Sequence, residues 1–203
     1  MLEDRGSRLT MPEEQAMAKT KIDSNVSIYP MPVVLAGAVV QEKANFLAIG
    51  WIARVNYQPP MVAMSLGKRH YTNSGIREHK EFSVNFPGIT LLEKTDYCGL
   101  VSGREKDKSQ LFTLFYGDLK QAPMIQECPL VFACKLVNIV ELPSNDLFIG
   151  EIVEAYAEEA CLTKGAPDIA KMDLFTLTMP DNNYWMIGGK AGKAWEAGRT
   201  LMG

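Results

Sequence analysis

The stretch NFLAIGWIARVNYQPPMVAMSL occupies residues 45–66. Its two short apolar runs, at 45–55 and 59–66, are separated by polar and proline residues. Short apolar runs bounded by turn-forming residues are typical of β-strands. A third run, PMPVVLAGAVV at 30–40, precedes them, and this spacing predicts a meander of strands that closes into a barrel or a sandwich.

Gly50 interrupts the first of these runs and is followed by Trp51. A glycine inside a strand weakens its pairing and often marks a bulge or the close approach of the backbone to a ligand. Two interpretations stay open from the residues alone. Either the strand bulges and Trp51 belongs to the core, or the strand lines a bound molecule.

The rest of the chain continues this mainly β pattern with a few short helices. TNSGIREHKE at 72–81 predicts a short helix with Thr72 or Asn73 as its N-cap, because both are good capping residues. LLEKTDYCGLVSG at 91–103 is helix-like, and Asn85 in the strand FSVNF is expected to satisfy a buried backbone group. The next predicted elements are a charged loop at 102–110 and two long strands at 129–142 and 146–159, joined by the hairpin turn PSND. An irregular segment at 163–181 follows. The last predicted element is a short strand with a small-residue helix or tail at 184–198.

Length and composition limit the kind of protein. A chain of 203 residues with 47% hydrophobic residues fits one compact domain, which we place at 28–203. The polar residues 1–27 are expected to be a flexible arm or an added expression segment, with Met11 a conceivable native start. The formal net charge of −3 gives no electrostatic footprint for nucleic acid. No run approaches the roughly 18 apolar residues of a membrane span, so we expect no membrane partner.

The cysteines and histidines do not predict a metal site. Cys98, Cys128, Cys134 and Cys161 form no CxxC pair, and neither histidine of the chain stands at metal-ligand spacing from them. The expected protein is cytoplasmic, with reduced thiols.

The segment GKRHYTNSG at 67–75 concentrates hydrogen-bond donors just before the predicted helix. Lys68, Arg69, His70 and Thr72 all fall within it. Free backbone N–H groups at a helix start favour a phosphate, so an anion cradle is one interpretation and a solvated turn is the other. The segment does not match the GxxxxGK[ST] loop of nucleoside-triphosphate-binding proteins.

Six segments in fixed order carry a resemblance to a known family. They are PMPVVL, NFLAIGWIARVNYQPPMVAMSL, RHYTNSGIREHKEFSVNF, CGLVSGREKDK, LFIGEIVEA and YWMIGGKAG. From about residue 29 to residue 201 the chain resembles the flavin reductase-like family of FMN-binding split barrels, most closely its flavoredoxin branch. The resemblance implies a mainly β fold with short helices, an FMN-binding split β-barrel, and FMN as the cofactor.

The resemblance also implies which residues contact the flavin. The strand residues are Asn45, Leu47, Gly50, Trp51, Ile52, Ala53 and Arg54, with Leu47 standing where many relatives carry a hydroxyl residue. Lys68, Arg69, His70 and Thr72 correspond to the turn that holds the FMN phosphate, and Lys108 corresponds to a lysine placed against the cofactor. An aromatic residue near the flavin corresponds to Tyr184 or Trp185, which composition alone assigns equally well to the core. By composition alone, the loop that carries Lys108 is a solvated surface loop.

Three functions remain open at this point. The leading one is an FMN-dependent oxidoreductase that passes electrons from NADH, NADPH or a ferredoxin-type donor to a flavin, a metal or an electron-transfer acceptor. In this function the flavin performs the chemistry, and no catalytic side chain is required. The alternatives are a non-catalytic FMN carrier or flavin-storage protein, and an interaction module without a cofactor. The chain lacks a GxGxxG fingerprint, so a nicotinamide would dock only transiently.

Two strands predict a further buried surface. FLAIGWIARV and PLVFACKLVNIV carry more apolar residues than a barrel with one wet face would expose. We therefore expect a homodimer with its flavin sites at or near the subunit interface, as the resemblance also implies.

Overall fold

The computed structural model describes residues 19–202. The strands are β1 Met31–Pro32, β2 Val34–Val40, β3 Lys43–Ile49, β4 Ile52–Asn56, β5 Met61–Gly67, β6 Glu81–Phe86, β7 Leu114–Phe115, β8 Met124–Ile125, β9 Leu130–Glu141, β10 Asn145–Ala157, β11 Leu162–Thr163, β12 Ala166–Pro167, β13 Phe175–Thr178 and β14 Asn183–Met186. The α-helices are α1 Thr72–His79 and α2 Leu92–Leu100, and three short 3₁₀ turns lie at Ile89–Leu91, Glu159–Cys161 and Arg199–Leu201.

Seven strands form one antiparallel sheet in the order β3-β2-β6-β9-β10-β5-β4. In a flat sheet with strands about 4.8 Å apart, the edge strands β3 and β4 would lie about 29 Å from each other. These two strands follow one another in the chain, and the three Cα steps from Ile49 to Ile52 span at most about 11 Å. The sheet therefore curls until its edges approach, while no ladder joins β3 to β4 in the described residues, which leaves the barrel split.

The curled sheet separates two hydrophobic clusters. Inward-facing residues of six of its strands meet inside the sheet, among them Val34, Met64, Phe82 and Phe148. On the outer side, Phe46 packs with residues of α2 and of the segment that follows it. Strand β2 is buried along its whole length because its alternate side chains enter both clusters, which explains its unbroken apolar sequence.

Several elements agree with the sequence predictions. The long strands β9 and β10 pair across the predicted turn, and α2 occupies the predicted helix. Asn85 is fully buried, donates from Nδ2 to the Leu35 carbonyl at 3.0 Å and accepts from the Ile125 N–H at 2.9 Å, as expected. The curled, mainly β sheet with two short helices confirms the predicted fold class.

Three local predictions are wrong. The run at 45–55 is not one strand, because the chain leaves the sheet at Gly50 and Trp51 and re-enters it on the opposite edge. Thr72 and Asn73 do not cap α1; both lie inside the helix, which follows Tyr71 without a side-chain cap. The segment 163–181 is not wholly irregular, since β13 pairs there with β1 and β14 to form a three-stranded sheet.

Most of the predicted arm at 1–27 lies outside the described residues, as does the suggested start at Met11. Residues 19–27 contain no helix or strand, and their side chains are exposed apart from the half-buried Ser27. Between residues 19 and 202, no helix is long and apolar enough to cross a membrane. The same part of the chain holds no group of three or more His, Cys, Asp or Glu residues arranged to bind a metal ion.

Candidate functional site

A cavity of about 400 Å³ opens beside the start of α1, and we call it the polar cavity. Four segments line it: β3 through Asn45 and Leu47, the turn 69–72, the end of α2 with the following loop at 99–105, and Lys108. These segments are far apart in the chain. The antiparallel pairing of β2 with β3 and the packing of α2 on β3 bring them together.

Asn45 forms the inner wall of the polar cavity. Its Nδ2 donates to Thr72 Oγ1 at 2.8 Å, and both side chains are buried. Asn45 Oδ1 is also buried, yet it has no hydrogen-bond partner among the described residues. A buried acceptor without a donor is costly, so this oxygen fits a ligand that brings a hydroxyl or an N–H group.

Gly103 lies close to the same oxygen. A Cβ atom at this position would lie 2.0 Å from Asn45 Oδ1 and 2.8 Å from Tyr71 Cδ1. The loop can therefore approach β3 this closely only because residue 103 has no side chain.

Positive charge dominates the cavity wall. Arg69, Arg104 and Lys108 line it against the single carboxylate of Glu105. Burial, together with the nearby charge of Lys108, lowers the pKa of His70 and so favours its neutral imidazole. The cavity consequently suits a ligand with negative charge.

The turn before α1 is held in place by Arg104. Its guanidinium donates to the Arg69 carbonyl at 3.0 Å and lies 5.2 Å from the centre of the Tyr71 ring. The Tyr71 and Thr72 N–H groups have no acceptor within the described chain, as is usual for the first residues of a helix. These N–H groups add to the anion-binding character of this end of the cavity.

Lys108 is not a solvated loop residue. Its side chain is only 2% exposed, and Nζ donates to the carbonyls of Phe46 and Cys98, both at 2.9 Å. Burial lowers the pKa of Lys108. Because an ammonium group carries three donors, one N–H remains after these two bonds, beside the cavity.

A second cavity, of about 560 Å³, lies where the chain crosses between the sheet edges, and we call it the apolar cavity. It is lined by 26–28, 30–32, 50–53, 55, 63, 65 and 147. Four of the predicted cofactor contacts, Gly50, Trp51, Ile52 and Ala53, thus fall here rather than in the polar cavity. Trp51 itself is 54% exposed, so it is not a core residue in the single chain.

Four predicted contacts line neither cavity. Lys68 Nζ pairs with Asp146 Oδ1 at 2.6 Å, and Arg54 Nε donates to the Asn56 carbonyl at 2.7 Å. The Tyr184 hydroxyl donates to Asp96 Oδ1, and Trp185 Nε1 donates to Thr178 Oγ1, both at 2.8 Å. All four side chains are engaged by the protein, and their roles toward a cofactor stay predictions.

The sequence interpretation missed other residues of the polar cavity. Tyr71, Gly103, Arg104 and the end of α2 at 99–101 line it. The motif SGR at 102–104 was the available signal, because a glycine followed by an arginine in a loop is suited to a close, cationic ligand contact.

Comparison with known proteins agrees with this fold. The model of the flavin reductase like domain matches residues 26–168, and the chain belongs to that family. Within the family it falls on the flavoredoxin branch, as predicted. It is 56% identical to a flavoredoxin from Methanosarcina acetivorans over 91% of this chain and 100% of that chain, with a TM-score of 0.90.

Two further structures are similar. The flavoredoxin of Desulfovibrio vulgaris (Miyazaki F) is 32% identical over 90% of this chain and 100% of that chain, with a TM-score of 0.83. An FMN-binding protein from Thermus thermophilus, solved with bound 1-cyclohex-2-enone, is 22% identical over 89% of this chain and 99% of that chain, with a TM-score of 0.75. The last similarity shows the shared fold alone.

Proposed function

We propose that this protein is an FMN-dependent oxidoreductase. It carries electrons through bound FMN from NADH, NADPH or a ferredoxin-type protein to a flavin, a metal or an electron-transfer acceptor. The polar cavity is the observation that carries the proposal, because it joins three cationic side chains, the free N–H groups at the start of α1 and the unpaired Asn45 Oδ1 in one space. Its membership of a flavin reductase family supports the same cofactor.

The donors and acceptors of the polar cavity match the two ends of FMN. A phosphate needs charge-assisted donors, which Arg69, Arg104 and the Tyr71 and Thr72 N–H groups supply. The polar parts of the ribityl chain and the ring need acceptors as well, and Asn45 Oδ1 supplies one. The residues present therefore fit FMN.

The bound flavin supplies the electron-transfer chemistry, while the protein binds it and sets the electrostatics around it. Lys108 is the residue best placed for the second task. Two backbone carbonyls fix its ammonium group, so a positive charge stays at the wall of the cavity without freedom to turn away. This fixed charge stabilises additional negative charge in the cavity.

We propose further that the protein acts as a homodimer, with the flavin at or near the subunit interface. Trp51 and Val55 are exposed at the rim of the apolar cavity, close in sequence to the polar residues of β3. A flavin ring requires walls on both sides, and one open barrel offers a wall on one side only. The four cysteines are free thiols, which fits a reducing compartment such as the cytoplasm.

Flavin binding is tested first. Titration of the apoprotein with FMN and with riboflavin, followed by fluorescence quenching, should give a dissociation constant about tenfold or more lower for FMN, because only FMN carries the phosphate. Equal affinity for the two flavins would show that the polar cavity does not bind the phosphate. Absence of binding to either flavin would refute the proposal.

Electron transfer is tested next. The holoprotein is mixed without oxygen with NADH, with NADPH and with reduced ferredoxin in separate reactions, and the visible absorbance of the flavin is followed. Bleaching by a donor, with repeated turnover when an acceptor is added, supports the oxidoreductase. If FMN is bound but no donor supports repeated turnover, the protein is a carrier or a storage protein instead.

Light scattering during removal of FMN tests the dimer. If the cofactor is held at the interface, its removal should weaken the dimer. A stable monomer that still binds FMN tightly would place the flavin within a single barrel.

A further inference from the structure

The segment 187–202, which we call the C-terminal arm, shows no hydrogen bond to the rest of the described chain. All of its residues are exposed, including Trp195 at 92% and Leu201 at 89%. Its recorded hydrogen bonds are local, such as those from the Ala197 N–H to the Lys193 carbonyl and from the Leu201 N–H to the Gly198 carbonyl. Large apolar side chains gathered on an unpacked segment indicate a contact surface.

The base of the C-terminal arm is fixed to the fold. Strand β14 pairs with β13, and Tyr184 is tied to Asp96 of α2. From this base, 16 residues reach at most about 55 Å when extended. The C-terminal arm is therefore long enough to cross to another molecule while its origin stays in place.

The apolar cavity is a surface of matching chemistry. Trp51 and Val55 are exposed at its rim, Ile28 is exposed beside them, and Tyr57 lies in the adjoining turn at 88% exposure. No residue beyond Leu147 lines this cavity, so the C-terminal arm of the same chain does not fill it. Each copy thus carries one unpaired apolar segment and one unpaired apolar surface.

Exposed apolar side chains on both surfaces supply area for a dimer interface. An aromatic side chain buries about 150–250 Å² when it is fully covered. With Trp195 92% exposed and Trp51 54% exposed, the two offer about 220–370 Å² per copy toward the about 800 Å² per partner of a standard interface. The exposed side chains of Ile28, Val55, Leu201 and Met202 add to this area. In a twofold dimer the same contact forms twice, once in each direction.

We propose that the C-terminal arm of one copy packs through Trp195, Leu201 and Met202 on the apolar cavity of a second copy, and that the exchange is reciprocal. This inference rests on the homodimer of the proposed function. It goes further, because it names the segment and the surface that meet.

Cysteine cross-linking tests the contact and its direction. The double variant Trp195→Cys with Val55→Cys should form a covalent dimer on mild oxidation, since the native cysteines are all buried. A monomer with an internal disulfide would show that the C-terminal arm folds back on its own chain and would overturn the inference. Two thiols that stay reduced would overturn it as well.

Dissociation of the dimer gives a second measurement that does not depend on a disulfide. By analytical ultracentrifugation, Trp195→Lys and Val55→Lys should each raise the dimer dissociation constant about tenfold or more, as loss of an interface anchor does. Ile169→Lys is the matched control, because Ile169 is 57% exposed and lies outside both surfaces. Equal dissociation constants for Trp195→Lys and for the control would refute the exchange.

FMN titration of the same variants separates the two proposals. FMN binding without the cross-link would refute the arm exchange and leave the proposed function in place. Formation of the cross-link without FMN binding would support the arm exchange and refute the proposed function.

Discussion

Replacing Lys108 with methionine tests the electrostatic role of the polar cavity. Methionine keeps much of the aliphatic stem but removes the charge and the bonds to the Phe46 and Cys98 carbonyls, both 2.9 Å long. The side chain is almost completely buried, so water cannot replace those bonds.

Two effects of opposite sign set the magnitude. Hydrogen bonds to a charged group contribute about 1.5–3 kcal/mol each, whereas removing a buried charge recovers part of its desolvation cost. We expect the net free energy of unfolding to fall by about 2 kcal/mol. Because the cavity also loses one of its three cationic groups, the FMN dissociation constant should rise about tenfold, which corresponds to about 1.4 kcal/mol.

Urea unfolding measures the first quantity, and fluorescence quenching by the apoprotein measures the second. Lys106→Met is the matched control, since it removes the same charge from an exposed position two residues earlier. If Lys108→Met matches Lys106→Met in both assays, Lys108 neither supports the cavity nor contacts the flavin.

The lowered pKa of Lys108 adds a pH dependence. The ammonium group loses its proton as the pH rises through a value below the 10.5 of an ordinary lysine. FMN affinity of the unaltered protein should therefore begin to fall at a lower pH than titration of an exposed lysine predicts. The affinity of Lys108→Met should lack this decline.

Further predictions concern three other positions. Thr72→Ala leaves Asn45 Nδ2 without its acceptor and should weaken FMN binding by about 1–2 kcal/mol, whereas Thr72→Ser, which keeps the hydroxyl, should bind normally in the same titration. Gly103→Ala places a methyl group 2.0 Å from Asn45 Oδ1 and should abolish tight FMN binding; Gly188→Ala, where nothing lies within 4 Å, is its control. The hydrogen bonds and charges of Lys68 and Arg77 lower the pKa of Asp146, so its stabilising effect is present above the ordinary value of 3.8 and is lost as the pH falls through the lower folded value. In thermal unfolding, Asp146→Asn should be less stable than the unaltered protein at neutral pH, and a gap that persisted in strong acid would contradict this assignment.

Local sequence determined the strands and the family. Short apolar runs separated by Pro, Asn and Asp predicted most of the sheet, because strands that border a core are rich in apolar residues and turn-forming residues end them. The same local pattern predicted both helices and the hairpin between β9 and β10. The cluster of donors at 67–75 was also visible, since side chains that precede a helix start are neighbours in sequence.

Tertiary structure decided which of those donors line the polar cavity and which bind elsewhere in the protein. Lys68 and Arg69 are adjacent in the chain, yet Lys68 pairs with Asp146 on β10 while Arg69 lines the polar cavity. No local pattern shows that Asp146 lies opposite, because the pairing of β5 with β10 joins residues far apart in sequence.

The same reason explains Gly50 and Lys108. The sequence marked Gly50 as unusual, but only the curling of the sheet reveals that the chain crosses there from one edge to the other. Lys108 follows four charged residues in a loop whose composition is typical of a solvated surface. It is buried because Phe46 and Cys98 present carbonyls to it across the fold. Local propensity is a property of neighbouring residues, whereas burial and hydrogen-bond partners depend on which distant segments the curled sheet brings together.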